Sequence, residues 1–456
     1  MVFDGVRTHH FRAENQSAAE LADQILIHLD APDQLLDLFA GLKAVAVADD
    51  LVGELRARSV PREKLRTAAR FVAENATHRE PAKLGIVMLG VSGDQRDAEL
   101  LQLLGTLDEF ALFAVVALMN TQPDRQRAVF ELAQRLDGWG RIHAVERLKG
   151  CSDPDIKAWL LRSGFRNGVM NEYLAHLAAT TGGLYEALLE DEVDDALLDG
   201  AADILQALAN GGPTEDMSDY DDALPVMHRF AALIADAAPT LTRLDAALSI
   251  ESLCHRQGFE WPKGEPERLQ ARYETLLEQQ RWRDLVLREL VTETPEGPYT
   301  FNVALSCGGQ LGMDLFPQAL SRLRTDPHNA YIWQWVLRRA DETTIEQITM
   351  LAETLLHLDD SASGPAESLG FGPGFAADRA LETVVRHLDK FPGVGSPLLA
   401  VALTSRVTRC RRVAFGILQA WPPEHRPAET HAWITAAAER EPNPELRQDL
   451  LAFLTD

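Results

Sequence analysis

Between residues 80 and 165 the chain repeats itself. The segments VSGDQRDAELLQLLG, NTQPDRQRAVFELAQRL and CSDPDIKAWLLRSG align with Asp94, Asp124 and Asp155 in register, at steps of 30 and 31 residues. Each is a polar turn that leads into an amphipathic helical pattern. Between them lie KLGIVMLG, EFALFAVVALMN and WGRIHAVERLKG, which read as shorter and mostly more apolar helices. A helical hairpin of about thirty residues is too small to bury its apolar face alone, so neighbouring hairpins have to stack. Elsewhere Leu, Ala, Val and Ile recur at three- and four-residue spacing, and alternating β-branched runs are missing. The pattern predicts an all-α chain, an α-solenoid with little or no sheet.

The aspartates of the repeat have a physical reason. An Asp side chain before a helix accepts the free amides of the first turn, and its charge suits the positive end of the helix dipole. Asp94, Asp124 and Asp155 are therefore expected as caps. The helices of DPDIKAWLL and of VTRCRRVAFGILQAW, residues 407–421, resemble the short HEAT-like repeats of bacterial α-solenoids. On this reading residues 1–78 form an N-terminal helical cap and 79–209 hold HEAT-like repeats. Residues 210–222 are an acidic linker loop and 223–358 a further helical region. A Gly/Pro/Ser-rich loop fills 359–375, and the repeats return in 376–456.

Charge narrows the function. The 456 residues carry 44 Lys and Arg against 69 Asp and Glu, a net charge of −25. Such a field repels phosphates and anionic headgroups, which disfavours nucleic acid and membrane surfaces as partners. No window approaches the roughly 18 uninterrupted apolar residues of a membrane span, and the start MVFDGVRTHHFRAENQ has no apolar signal region. The four cysteines lie about a hundred residues apart without a paired motif, so they read as free thiols of a reducing, cytoplasmic compartment.

Templates for chemistry fail one by one. The chain has no G-x-x-x-x-G-K-[ST], no G-x-G-x-x-G after a strand and no G-x-S-x-G, so no cofactor is expected. In TFNVALSCGGQLG, Val303 stands where a thiolate-haem loop has glycine, and Cys307 reads as a core-helix residue. The acids from Glu186 to Asp222 lack the order of a calcium loop and read as a solvated face.

One stretch is richer, DGWGRIHAVERLKGCSDPDIKAWLLRSGFRNGVMNEYLA, residues 137–175. Arg141, Arg162, Arg166, Asn167, Asn171, Glu172 and Tyr173, interleaved with Trp139 and Trp159, have the composition of an interface hot spot and are the candidate partner-binding residues. Some of Trp139, Trp159 and Leu160 should be buried, and the arginines should either join an internal network or line an open groove. A metal reading competes: His143 with Glu146, and Glu172 with His176, sit three and four residues apart, so two facing helices could offer two carboxylates and two imidazoles. The arrangements WGRIHAVERL and WLLRSGFRNGVMNEYLA resemble a family of bacterial HEAT-like proteins sometimes labelled limonene hydroxylase, a label that implies a monooxygenase. The leading expectation is a non-enzymatic scaffold for a protein partner. A metal-dependent enzyme, possibly a hydroxylase, is the first alternative, and a nucleic-acid-binding HEAT-like protein the second.

Overall fold

A computed structural model of the chain describes residues 17–256, 261–292, 297–358 and 363–455. It is 72% helical, with 26 α-helices among the described residues. Among the described residues the one β-type contact is an isolated bridge between Ser368 and Val407, and no sheet is present. The all-α expectation holds. The chain divides into two compact units, Met1–Gln279 and Gln280–Asp456.

In unit 1 the helices are α1 (Ala18–Ile27), α2 (Asp33–Phe39), α3 (Ala44–Ala57), α4 (Arg62–Asn75), α5 (Arg79–Ser92), α6 (Ala98–Gly105), α7 (Asp108–Thr121), α8 (Arg125–Ala133) and α9 (Gly138–Glu146). They continue as α10 (Pro154–Trp159), α11 (Ala175–Gly182), α12 (Leu184–Leu189), α13 (Asp195–Asn210), α14 (Ala223–Asp236), α15 (Leu241–Cys254) and α16 (Glu265–Leu277). Helices α1, α3, α5, α7 and α9 pack each on the next, and α2 on α4 and α6 on α8 form the second side of the hairpins. The helices of the expected N-terminal cap thus join the same row. Further along, α11 packs on α13, α13 on α15, α12 on α14 and α14 on α16.

The repeat helices differ in length from the sequence reading. Helices α5 and α7 have 14 residues each, whereas α6 has 8 and α8 has 9, so the apolar members are the longer ones. Every residue of α5 from Pro81 to Gly90 is buried. A helix covered on all sides needs apolar residues around its whole circumference, and its periodic stripe disappears. Lys83 is the exception in that run, and its ammonium lies 3.1 Å from Glu80 and 2.9 Å from Glu109.

Caps follow the expected chemistry with one change. Asp94 caps a short 3-10 turn ahead of α6, in a reciprocal box with Asp97, and the Asp124 carboxylate accepts the Arg127 amide at the start of α8. Before α10 the cap is Asp153, which accepts the amides of Asp155 and Ile156. Asp155 instead stands in the first turn, behind Pro154. Proline is favoured at the first helical position, which leaves the preceding residue as the cap.

Ion pairs join successive hairpins at close to one repeat length. Arg66 holds Asp97 at 2.7 and 2.8 Å, 31 residues away. Arg79 reaches Glu109, 30 residues on, and Arg162 reaches Asp194, 32 residues on. Asp97 is wholly buried and receives Arg70 as well.

Unit 2 contains α17 (Gln280–Val291), α18 (Gly297–Gln310), α19 (Phe316–Thr325), α20 (Ala330–Leu337), α21 (Ile345–Leu355), α22 (Ala376–Arg386), α23 (Ser396–Ala402), α24 (Thr408–Ala420), α25 (Thr430–Arg440) and α26 (Pro444–Phe453). Here α20 packs on α22, α22 on α24 and α24 on α26. The same spacing of ion pairs returns, with Arg409 on Glu382 at 27 residues and Arg411 on Glu441 at 30. Of the Gly/Pro/Ser-rich loop, residues 359–362 lie outside the described residues. Its later part is extended over the start of α24: the Ser368 amide donates to the Arg406 carbonyl at 3.3 Å, and the Thr408 amide donates to the Ser368 carbonyl at 3.4 Å.

No disulfide joins any of the four cysteines, and Cys307 is fully buried in α18, as its sequence context implied. Burial pushes the Cys254 thiol up to about 11 and the Cys410 thiol up to about 12. A thiol held protonated is a poor nucleophile and a poor metal ligand.

Candidate functional site

The stretch 137–175 begins at α9 and ends at α11. Its turns are set by glycine: Gly138 and Gly168 have φ of 62° and 71°, and the Gly138 amide donates to the Asn167 carbonyl at 2.6 Å. Asn167 is wholly buried and satisfied at both ends of its amide. Its nitrogen donates to the carbonyls of Phe165 and Met170, and its oxygen accepts the amides of Val169 and Met170. It folds the 165–170 turn.

Between α10 and that turn the helix widens into a π turn, Leu160–Gly164. Two glycines accommodate it. A Cβ on Gly164 would stand 2.6 Å from the Trp159 ring, and one on Gly200 of α13 would stand 2.0 Å from the Leu161 carbonyl oxygen. Leu160 is fully buried, while Trp139 and Trp159 are half-buried. Trp159 meets Phe130 edge-on at 5.2 Å, and Arg141 lies 5.4 Å from the Trp159 ring.

The arginines of the candidate surface have partners inside the protein. Arg141 donates to the Leu136 carbonyl at 2.7 Å and to the Arg166 carbonyl at 3.3 Å. Burial lowers its pKa, with nearby Asp137 opposing. Arg162 holds Asp194, the cap of α13, at 2.7 Å, and this guanidinium keeps the Asp194 carboxyl below its ordinary value. Arg166 holds Asp203 at 2.6 Å, where burial raises the carboxyl despite the arginine. Of the two arrangements open to these arginines, the internal network is the one formed.

The remaining candidates lie on a 3-10 turn, Asn171–Tyr173. Tyr173 packs against Trp139 with ring centres 5.1 Å apart. Thr214 donates to the Glu172 carbonyl at 2.7 Å, and Gly212 lies against the Glu172 side chain. The acidic segment 210–222 therefore folds back over this turn. Other acids of the 186–222 run are also paired: Asp195 and Asp199 both hold Arg243, which is completely buried. Asp195 keeps 82% of its side-chain surface and Asp199 33%, so these acids stay at the surface while holding a buried arginine. The signal missed was arginine one repeat or more away in sequence.

Of the metal candidates, His143 and Glu146 share α9 with Nδ1 3.7 Å from the carboxylate. His176 turns its Nε2 to the Asp219 carbonyl at 3.1 Å and its ring to Tyr220. Among the described residues no three His, Cys, Asp or Glu side chains are grouped so that they could hold a metal ion, and His143, Glu146, Glu172 and His176 are not brought together as one set.

The partial exposure of the arginine pairs sets their weight. Arg162 and Asp194 keep 34% and 55% of their side-chain surface, so Arg162→Gln should cost less than about 1 kcal/mol in chemical denaturation. Arg166→Gln should cost more, because Asp203 keeps only 28% and is left half-buried without its cation. Equal losses in the two variants would contradict this ordering.

Among the described residues no helix is long and apolar enough to cross a membrane. Compared with protein-family models, with curated proteins and with solved structures, the chain matches none.

Proposed function

We propose that this protein is a non-enzymatic interaction scaffold of the cytoplasm, its hairpins stacked as a HEAT-like solenoid that offers the grooves between hairpins to a protein partner. The observation that carries the reading is an open groove of about 720 Å³ between α6 and α8. Its lining residues are of mixed charge, including Glu99, Asp124, Arg127, Glu131 and Arg135, whose aliphatic stems leave much of the wall apolar, and Gln102 bridges the helices by donating to the Ala128 carbonyl at 2.7 Å. Such a lining suits a polar peptide segment held by side-chain and main-chain hydrogen bonds.

Site-specific photo-crosslinking tests it. A photoreactive residue at Glu131 should attach a defined partner, whereas one at Arg272, exposed on α16, should not. The recovered partner, purified, should bind the full chain, and Glu131→Arg should weaken that binding about tenfold, the scale of one charge contact reversed. Equal labelling from both positions, or unchanged affinity in Glu131→Arg, counts against the groove.

A further inference from the structure

The hydrogen-bonding groups of the α6–α8 groove are unevenly used. Its strongest donors are engaged within the protein. Arg127 holds Asp153 and Asp155 of the next hairpin, so its charge is already answered. Arg135 donates to the carbonyl and the Oε1 of Gln102 at 2.8 and 2.6 Å, and the Gln102 amide is taken up by the Ala128 carbonyl. The acceptors are open. Glu99 on α6 and Glu131 on α8 line the groove from its two walls; both are exposed, and among the described residues neither meets a cation. Asp124 adds a third carboxylate, one oxygen of which accepts the Arg127 amide.

Gln122 points the same way without depending on the acids. It follows α7, lines the groove and is only 8% exposed. Its Nε2 donates to the Asp94 carbonyl at 3.3 Å and to the Thr121 hydroxyl at 3.0 Å, which fixes the orientation of the amide. The Oε1 is the end left over, and among the described residues no donor reaches it. A polar side chain buried to this degree ordinarily has its oxygen paired as well as its nitrogen.

We propose that this groove selects a basic peptide segment, whose lysine or arginine side chains enter between Glu99 and Glu131 and donate to the Gln122 Oε1. The assignment rests on the reading of the groove as a partner-binding surface, and adds the charge of the partner. A volume of about 720 Å³ lies within the range of roughly 300–1,000 Å³ that holds a bound ligand. The open groups are acceptors, so the incoming segment has to bring donors and positive charge. An acidic segment would meet three carboxylates while both arginines of the lining are already engaged. The net charge of −25 also draws a basic partner towards the surface and repels an acidic one.

Fluorescence anisotropy of labelled acetyl-Ala-Lys-Ala-Lys-Ala-amide against the full chain tests the preference. Binding should be saturable and weaken with added salt, and the glutamate counterpart should not bind. Glu99→Gln and Glu131→Gln, both at exposed positions, should each weaken it about threefold, the scale of one exposed charge contact, and the double variant about tenfold. Glu278→Gln, at the exposed residue after α16, should leave it unchanged. A benzophenone carried by the peptide should attach within residues 98–135. A loss in Glu278→Gln equal to that in Glu131→Gln, or attachment spread over the chain, would show attraction to the acidic surface as a whole and overturns the site. Tighter binding of putrescine, which has the same charge, overturns the assignment to a peptide. The photo-crosslinked partner separates this inference from the reading beneath it. A partner attached at Glu131 through a segment without lysine or arginine overturns the basic preference and leaves the scaffold standing. Failure to capture any partner, with the lysine peptide bound in the groove, counts against the scaffold and upholds the basic preference.

Discussion

Glu441→Gln is expected to lower the unfolding free energy of unit 2 by about 3–5 kcal/mol, the cost of leaving a buried charge without its partner. Arg411 and Glu441 keep 1% of their side-chain surface each. The guanidinium meets both carboxylate oxygens, at 2.7 and 2.6 Å, and its Nη1 donates to the carbonyls of Ser405 and Ala366. Glutamine keeps the shape and removes the charge, and arginine cannot shed its proton to compensate. Chemical denaturation followed through a unit 2 probe measures this, since two compact units need not unfold in one transition. Trp421 serves, being buried with its indole donating to the Leu388 carbonyl at 3.0 Å. A loss below about 1 kcal/mol, the range of exposed pairs, would mean that water reaches the pair. Replacing both residues together by Met and Leu should cost much less than either single change, because no charge is then stranded.

Gly200→Ala should destabilise unit 1, against the usual direction. In an open helix interior alanine is better than glycine by about 0.5–1 kcal/mol. At this position the added Cβ would lie 2.0 Å from the Leu161 carbonyl oxygen and 3.0 Å from the Arg162 Cα. Both atoms are backbone, so no rotamer change relieves the clash, and either the π turn or α13 has to shift. Overpacking of this kind costs roughly 1–3 kcal/mol, which exceeds the propensity gain. Thermal unfolding of the variant reads the sign directly. A raised melting temperature would show that α13 retreats from the π turn without penalty.

The helical class and the thirty-residue hairpin were legible because they rest on periodicity, and Asp94 and Asp124 were legible as caps because their chemistry is local. Asp155 was misread because Asp153-Pro154-Asp155 offers two acids, and the proline decides between them. The length of α5 was underestimated because a helix buried on every side loses the stripe that marks its ends, and that of α7 because apolar residues also occupy its partly covered face at Leu112, Val116 and Met119. The π turn at Leu160–Gly164 left only Gly164 and Gly200 as traces in the sequence. Arg162 and Arg166 read as a free basic surface because Asp194 and Asp203 come opposite them only once α13 is in place.

The cross-hairpin ion pairs also bear on how such a chain can lengthen. Where a cation in one hairpin meets an acid about thirty residues away, as Arg66 meets Asp97 and Arg411 meets Glu441, a duplicated segment of that length carries its own cation and its own acid. The copy finds a complementary charge on each side, and the old pairs re-form around it. An insertion of ten or fifteen residues inside a helix would instead displace every later acid from its cation and strand charge in the interior. Growth by whole hairpins is electrically neutral at each seam, and growth by fractions is not.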